Sequence, residues 1–107
     1  IMKPLLPTLK ENPRYILFKI ISRKDVKSEA VKREIMFECK KYLGELGISK
    51  ANLKFIKYNS KDKSGIIKTN SKMLEETKMS LLLIQKLNKI KAKIEIIKVS
   101  GMIKKLA

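Results

Sequence analysis

The order of apolar patterns along the chain is the feature that most restricts its fold. Residues 14–22 form a β-rich, almost wholly apolar run, which predicts a largely buried central strand. Over residues 28–46 apolar side chains recur at intervals of three and four, which predicts an amphipathic helix. Gly47 is expected to provide the left-handed cap that ends this helix.

The second half of the chain repeats this alternation and adds a hairpin. Residues 53–58 and 66–69 predict two strands joined by a polar turn. Asn70 or Ser71 is placed to cap a second helix, whose apolar set includes Leu74, Leu81, Ile84 and Leu87. Residues 91–100 predict the last strand. The predicted order is therefore β-α-β-β-α-β.

Two β-α-β units with right-handed crossovers, joined by a hairpin, favour one arrangement of strands and helices. It is an α+β sandwich in which a four-stranded antiparallel sheet carries both helices on one face, the ferredoxin-like arrangement that RNA-recognition motifs share. The other sheet face is left open. Three prolines disfavour helix and strand near the N-terminus, so we predict an extended arm over residues 1–13. Residues 14–107 are predicted to form a single domain with a short basic C-terminal tail.

The charge of the chain favours a polyanionic partner. Its 107 residues include 26 Lys and Arg against 10 Asp and Glu, a formal net charge of +16. A compact domain with this charge repels itself unless an anion neutralises it, so nucleic acid is the first candidate. The cations are almost all lysine, which suits contact with phosphate better than bidentate reading of bases. Residues 54–107 carry 14 cations against 4 anions, so the excess is concentrated there.

The composition excludes the common catalytic and metal-binding machinery. The chain has no histidine and one cysteine, Cys39, so zinc clusters, a disulfide framework and histidine-assisted nucleophiles are ruled out. Cys39 lies on the apolar stripe of the first helix, which indicates a core residue. We expect no catalytic residue and no metal ligand. With no long apolar run and no signal-like N-terminus, we also expect no membrane contact and a cytoplasmic location.

The open sheet face is predicted to lack the rings that stack bases. Residues 65–68, on the third strand, contain no aromatic residue, whereas RNA-recognition motifs carry their stacking rings there. Tyr15 is expected to serve packing. We therefore predict an aliphatic open face that contacts another protein.

Three segments of the chain resemble one known family. They are Leu6-Pro7-Thr8-Leu9-Lys10-Glu11 followed by Arg14-Tyr15-Ile16, then Gly65-Ile66-Ile67-Lys68-Thr69-Asn70, and finally Val99-Ser100-Gly101-Met102-Ile103-Lys104-Lys105. In order and spacing they resemble the second protein component of archaeal and eukaryal ribonuclease P. Leu6, Lys10 and Met102 replace the proline, arginine and threonine that are usual there. Met102 weakens the case for a hydroxyl contact with RNA at that position and leaves Ser100 as the nearby candidate.

The resemblance implies a small, non-catalytic subunit of the ribonucleoprotein endonuclease that removes the 5′ leader from precursor tRNA. In that family the RNA performs the hydrolysis with bound Mg²⁺, and this chain would hold no cofactor. The implied partners are the ribonuclease P RNA, precursor tRNA and a TIM-barrel-like protein subunit. A homodimer within a heterotetramer is compatible with the resemblance.

We assign two groups of contact residues on this basis. The residues expected to bind RNA are Lys10, Arg14, Lys68, Lys72, Lys104 and Lys105. The arm residues Pro7, Thr8 and Leu9 are expected to dock on a protein surface.

Two other function classes are compatible with the residues themselves. One is an RNA-binding module of another ribonucleoprotein, such as a ribosomal protein. The other is a protein-interaction adaptor of the same fold, in which the lysines serve solubility. A self-sufficient nuclease is disfavoured, because the chain lacks a clustered acidic metal site.

Overall fold

A computed structural model of the chain describes residues 12–102. The elements in chain order are β1 (Pro13–Ser22), α1 (Ser28–Ala51), β2 (Lys54–Asn59), β3 (Ser64–Asn70), a 3₁₀ turn (Ser71–Met73), α2 (Leu74–Leu82), β4 (Lys86–Leu87) and β5 (Ile90–Ser100). Each predicted strand and helix is present. Pro13 belongs to β1 and not to the predicted arm, and residues 1–11 of that arm lie outside the described residues.

The strands of residues 12–102 form a five-stranded antiparallel sheet in the order β2-β3-β1-β5-β4. The prediction of four strands was wrong, because β4 was assigned to the second helix. Leu87 of β4 pairs with Ile90 of β5, and Asn88 and Lys89 between them adopt φ of 52° and 66°. A two-residue hairpin turn of this kind usually contains glycine. Asn88-Lys89 was therefore a weak sequence signal for a hairpin between β4 and β5.

One face of the sheet packs against both helices. The central strand β1 contributes Ile16, Phe18 and Ile20, which are at most 2% exposed. The Phe18 ring meets the Phe55 ring edge-on, with centroids 6.1 Å apart. From the helices and the outer strands the same core receives Val31, Ile35, Cys39, Ile67, Leu81 and Ile94. The opposite face of the sheet is therefore uncovered by either helix.

Gly65 allows Phe18 to reach this position. A Cβ atom on Gly65 would lie 2.7 Å from Cζ of Phe18 and 2.8 Å from the carbonyl oxygen of Lys57. Both distances are too short for a real side chain. The glycine is therefore required for close packing across β1, β2 and β3.

Helix α1 continues beyond its predicted end at Gly47. Gly44 interrupts the helix with φ of 77°, and the left-handed cap is Asn52, with φ of 49°. Gly47 and Ala51 are buried, so packing against the sheet favours one more turn of helix than the glycine signal predicts. Neither helix within residues 12–102 is long and apolar enough to cross a membrane.

Candidate nucleic-acid interface

The pairing register places lysines on the open face of the sheet. Lys54 of β2 lies opposite Lys68 of β3, and Lys68 lies opposite Tyr15 of β1. Directly paired residues point to the same face, and neighbours along a strand point to opposite faces. Because Ile16 and Ile67 are buried under the helices, the row that contains Lys54, Lys68 and Tyr15 faces away from them.

Register and alternation place every lysine in the strands of the described chain on the open face. They are Lys19 of β1, Lys54 and Lys57 of β2, Lys68 of β3, Lys86 of β4, and Lys91, Lys93 and Lys98 of β5. The acid that these strands place there is Glu95, opposite Lys19. Six of the ten carboxylates lie instead on the helices: Glu29, Glu34, Glu38, Glu45, Glu75 and Glu76.

Two β-bulges produce this separation of charge. The register shifts between Phe55 and Lys57, so Phe55 and Tyr58, three residues apart, both pack against the core. Lys54 and Lys57 are consequently both on the open face. A second shift occurs in β5, where Lys98 pairs with Leu17 and Ile96 pairs with Phe18, so that Ile97 is the extra residue. This bulge places Lys98 on the open face.

The open face is not the aliphatic surface that the sequence predicted. Leu17, Ile66 and Ile97 form an aliphatic strip across β3, β1 and β5, in which Leu17 is half-buried, Ile66 is buried and Ile97 is exposed; Ile21 is exposed farther along β1. The strip borders a shallow depression of about 710 Å³ that is lined by Leu17, Lys19, Lys61, Asp62, Lys63, Ser64 and Ile97. Tyr15 is half-buried on this face and not in the core. The prediction failed because alternation directs most aliphatic residues of the strands inward.

Lys54 and Lys68 form a like-charge pair across β2 and β3. Like charges directly opposite each other destabilise a sheet. Among the described residues, neither Lys54, Lys57 nor Lys68 forms an ion pair within 4.0 Å. A bound polyanion would remove this repulsion.

The predicted RNA contacts Arg14, Lys68 and Lys72 lie at the same end of the sheet but on different sides. Arg14 pairs with Thr69, so its side chain is on the helix side, where Nη1 donates to the Pro13 carbonyl oxygen at 2.9 Å. Lys68 is on the open face. Lys72 is exposed in the 3₁₀ turn that follows β3. The other assigned residues, Lys10, Lys104, Lys105, Pro7, Thr8 and Leu9, lie outside the described residues.

Asn70 holds this end of the sheet together. Its side-chain oxygen accepts a hydrogen bond from the Met73 N–H at 3.0 Å, so Asn70 caps the 3₁₀ turn that leads into α2 and not, as predicted, the helix itself. Its amide group donates to the Lys50 carbonyl oxygen. Beside it, the buried hydroxyl groups of Thr69 and Thr77 lie 3.1 Å apart. These hydrogen bonds connect β3 to both helices. They therefore fix the position of the backbone that carries Lys68 and Lys72.

Lys19, Lys54 and Lys57 were not among the predicted RNA contacts. Lys19 lies in residues 1–53, where the excess of cations is smaller, whereas Lys54 and Lys57 lie in residues 54–107, where it is concentrated. The available signal was the alternation of Lys54 with Phe55, which predicts opposite faces. Lys57 could not be assigned from alternation, because the bulge reverses its side.

The chain is similar to proteins of one family. The model of the Rpp14/Pop5 family matches residues 14–107. Ribonuclease P protein component 2 of Pyrococcus furiosus is 38% identical over 104 residues, which cover 97% of this chain and 87% of that protein. The corresponding component of Methanocaldococcus jannaschii is 35% identical over 104 residues, with 97% and 76% covered. A chain in the cryo-EM structure of yeast ribonuclease MRP has the same fold, with a TM-score of 0.66 at 13% identity and coverage of 86% of this chain and 76% of that one.

Proposed function

We infer that this chain, which belongs to the Rpp14/Pop5 family, is a protein subunit of ribonuclease P. Its role is to support the RNA of that ribonucleoprotein in the removal of the 5′ leader from precursor tRNA. Catalysis is a property of the holoenzyme. Within residues 12–102 no group of three or more Cys, Asp or Glu side chains could hold a metal ion, so we derive no metal-dependent step for this chain and propose that Mg²⁺ is bound by the RNA.

We propose that the open face of the sheet binds the phosphate backbone of the RNA. The observation that carries this proposal is the placement of all eight strand lysines on that face, including the Lys54–Lys68 pair. Lys72 and Arg14 extend the basic surface around the end of the sheet. Lys10, Lys104 and Lys105 are proposed as further contacts, because the chain enters at Asn12 and leaves at Met102 at this same end.

The physical contribution would be neutralisation of phosphates. Lysines that replace condensed counterions release them, so affinity falls steeply with salt, by roughly a thousandfold between 50 and 200 mM for about six contacts. Neutralisation lets crowded RNA helices approach and lowers the Mg²⁺ concentration that the RNA needs. Reconstitution with and without the chain, titrated with Mg²⁺, measures this effect.

Several finer assignments accompany this proposal. The strand order β2-β3-β1-β5 supports a ferredoxin-like sheet to which β4 is an addition. The expected partners are the ribonuclease P RNA, precursor tRNA and a TIM-barrel-like protein subunit, with Pro7, Thr8 and Leu9 docking on protein. A homodimer within a heterotetramer and a cytoplasmic location are also proposed.

A pair of matched double variants tests the RNA surface. Lys54→Ala with Lys68→Ala is expected to weaken binding of the ribonuclease P RNA by about tenfold or more and to lower the salt slope by about 2. The control is Lys27→Ala with Lys32→Ala, which removes the same charge from exposed positions at the start of α1. Affinity and salt slope are measured by filter binding at several salt concentrations. Equal losses in the two double variants would show that net charge, and not the open face, determines binding.

A further inference from the structure

A groove between α1 and α2 exposes apolar side chains on the side of the molecule opposite the strand lysines. It has a volume of about 390 Å³ and is lined by Tyr42, Leu43, Glu75, Glu76, Met79, Ser80 and Leu83. Met79 is 59% exposed, Tyr42 47% and Leu83 45%. Side chains of this kind, adjacent and uncovered, are typical of a surface that contacts another protein.

The groove has a well-ordered floor. The Ser80 hydroxyl is buried and lies 2.8 Å from the Thr77 carbonyl oxygen, to which it donates, and 3.6 Å from Sγ of Cys39. At the open end the Tyr42 hydroxyl lies 3.4 Å from the Leu83 carbonyl oxygen. These contacts join the two helices, so the groove is formed before any partner binds.

The charge at the groove differs in sign from that of the sheet face. Glu75 is paired with Lys78 at 3.5 Å. Glu76 is exposed and forms no ion pair within 4.0 Å among residues 12–102. A phosphate backbone would be repelled from this position. A symmetric contact with a second copy would bring two such glutamates into one interface and is also disfavoured.

We propose that this groove is the docking site for an amphipathic helix of another protein subunit. That helix would place apolar side chains, spaced by three and four residues, over Tyr42, Met79 and Leu83. A lysine or arginine beside them would pair with Glu76. The proposal rests on the proposed function only in that it takes the partner from the protein subunits of ribonuclease P. It gives the molecule two separate surfaces, the sheet face for RNA and the groove for protein.

Oxidative footprinting of methionine tests the occupancy of the groove. The free chain, the chain bound to ribonuclease P RNA alone, and the particle assembled from that RNA and all its protein subunits are compared by mass spectrometry. Met79 is expected to be oxidised at least about fivefold more slowly in the full particle and to change less than about twofold with RNA alone. Met102 is 55% exposed at the end of the sheet that carries the proposed RNA contacts, so it is the internal comparison for protection by RNA.

Three results would overturn the proposal. They are an active particle in which Met79 stays as reactive as in the free chain, equal protection of Met79 by RNA alone, and protection that rises with the concentration of the free chain. The last result would identify a second copy as the occupant. If RNA binding itself failed, the proposed function would be wrong, but the protection of Met79 by the protein subunits could still be read.

A charge reversal tests the predicted cation on the partner. Glu76→Lys is expected to weaken association with the protein subunits by about tenfold, while the affinity of the isolated chain for RNA is not lowered. Glu29→Lys is the matched control, since Glu29 and Glu76 both lie in the first turn of a helix and lose similar helix-dipole stabilisation. The unfolding midpoints of the two variants are compared to show that both are equally stable. If they are, and both variants weaken association with the protein subunits equally, a specific contact at Glu76 is refuted.

Discussion

Lys54→Glu is expected to stabilise the free protein and at the same time to weaken its binding to RNA. Lys54 lies directly opposite Lys68 across β2 and β3, so the substitution replaces a like-charge pair by an opposite-charge pair. Each of these cross-strand terms amounts to roughly 0.2–1 kcal/mol. Their sum predicts a gain of about 0.4–2 kcal/mol in the free energy of unfolding. At about 5 °C per kcal/mol for a domain of this size, the midpoint of thermal unfolding should rise by about 2–10 °C.

Thermal unfolding followed by circular dichroism at low and high salt measures this gain. Lys54→Gln removes the repulsion without adding an attraction, so it should give about half the rise. Because salt screens exposed charges, with a Debye length of about 10 Å at 0.1 M and 3 Å at 1 M, the advantage of Lys54→Glu should largely vanish at 1 M NaCl. RNA affinity should fall by about tenfold or more at low salt, since a phosphate would now meet a carboxylate.

The outcome that refutes this reasoning is specific. If Lys54→Glu lowers the unfolding midpoint at 50 mM salt, or raises it equally at all salt concentrations, the pair is not electrostatically strained. If stability rises but RNA affinity is unchanged, the pair is strained but lies outside the RNA contact. The two measurements therefore separate the energetics of the sheet from its function.

Three further predictions concern packing, ionisation and capping. Gly65→Ala would place its Cβ 2.7 Å from a buried phenylalanine ring and should lower the free energy of unfolding by about 1–3 kcal/mol. Gly101→Ala, whose Cβ would meet nothing closer than 3.4 Å, should change it by less than about 0.5 kcal/mol. Burial raises the pKa of the Cys39 thiol from 9.0 to about 11. Because the unfolded thiol ionises first, stability should fall from pH 9 to 11, by up to about 1.4 kcal/mol per pH unit, and urea unfolding should show a smaller fall in Cys39→Ala. Asn70→Ala should cost about 1–2 kcal/mol in the same assay, whereas Asn70→Asp, which keeps the capping oxygen, should lose less.

Much of the fold could be predicted from the sequence, because its strong elements have strong local patterns. The predicted strand over residues 14–22 and the predicted helix start at Ser28 agree with β1 and α1 to within one residue. The failures occurred where tertiary packing outweighs local preference. Helix α1 passes Gly47 because Ala51 is buried, and β4 forms because Leu87 joins the core.

The candidate site was predicted less well than the fold. Lys68 was selected from its charge and from a family resemblance, but Lys54, its neighbour in space, is 14 positions away in the chain. Their pairing depends on the register between β2 and β3. Arg14 and Lys68 were grouped together, yet strand alternation separates them onto opposite faces of the sheet.

The amino-acid sequence is enough to predict an α+β domain with a large positive charge and without histidine or cysteine chemistry. These properties follow from composition and from apolar periodicity, which act over a few residues. The location of the charge depends on how the strands pair. Strand register and two β-bulges, set by the burial of residues such as Phe55 and Val99, direct every strand lysine to one face and leave the apolar groove on the other.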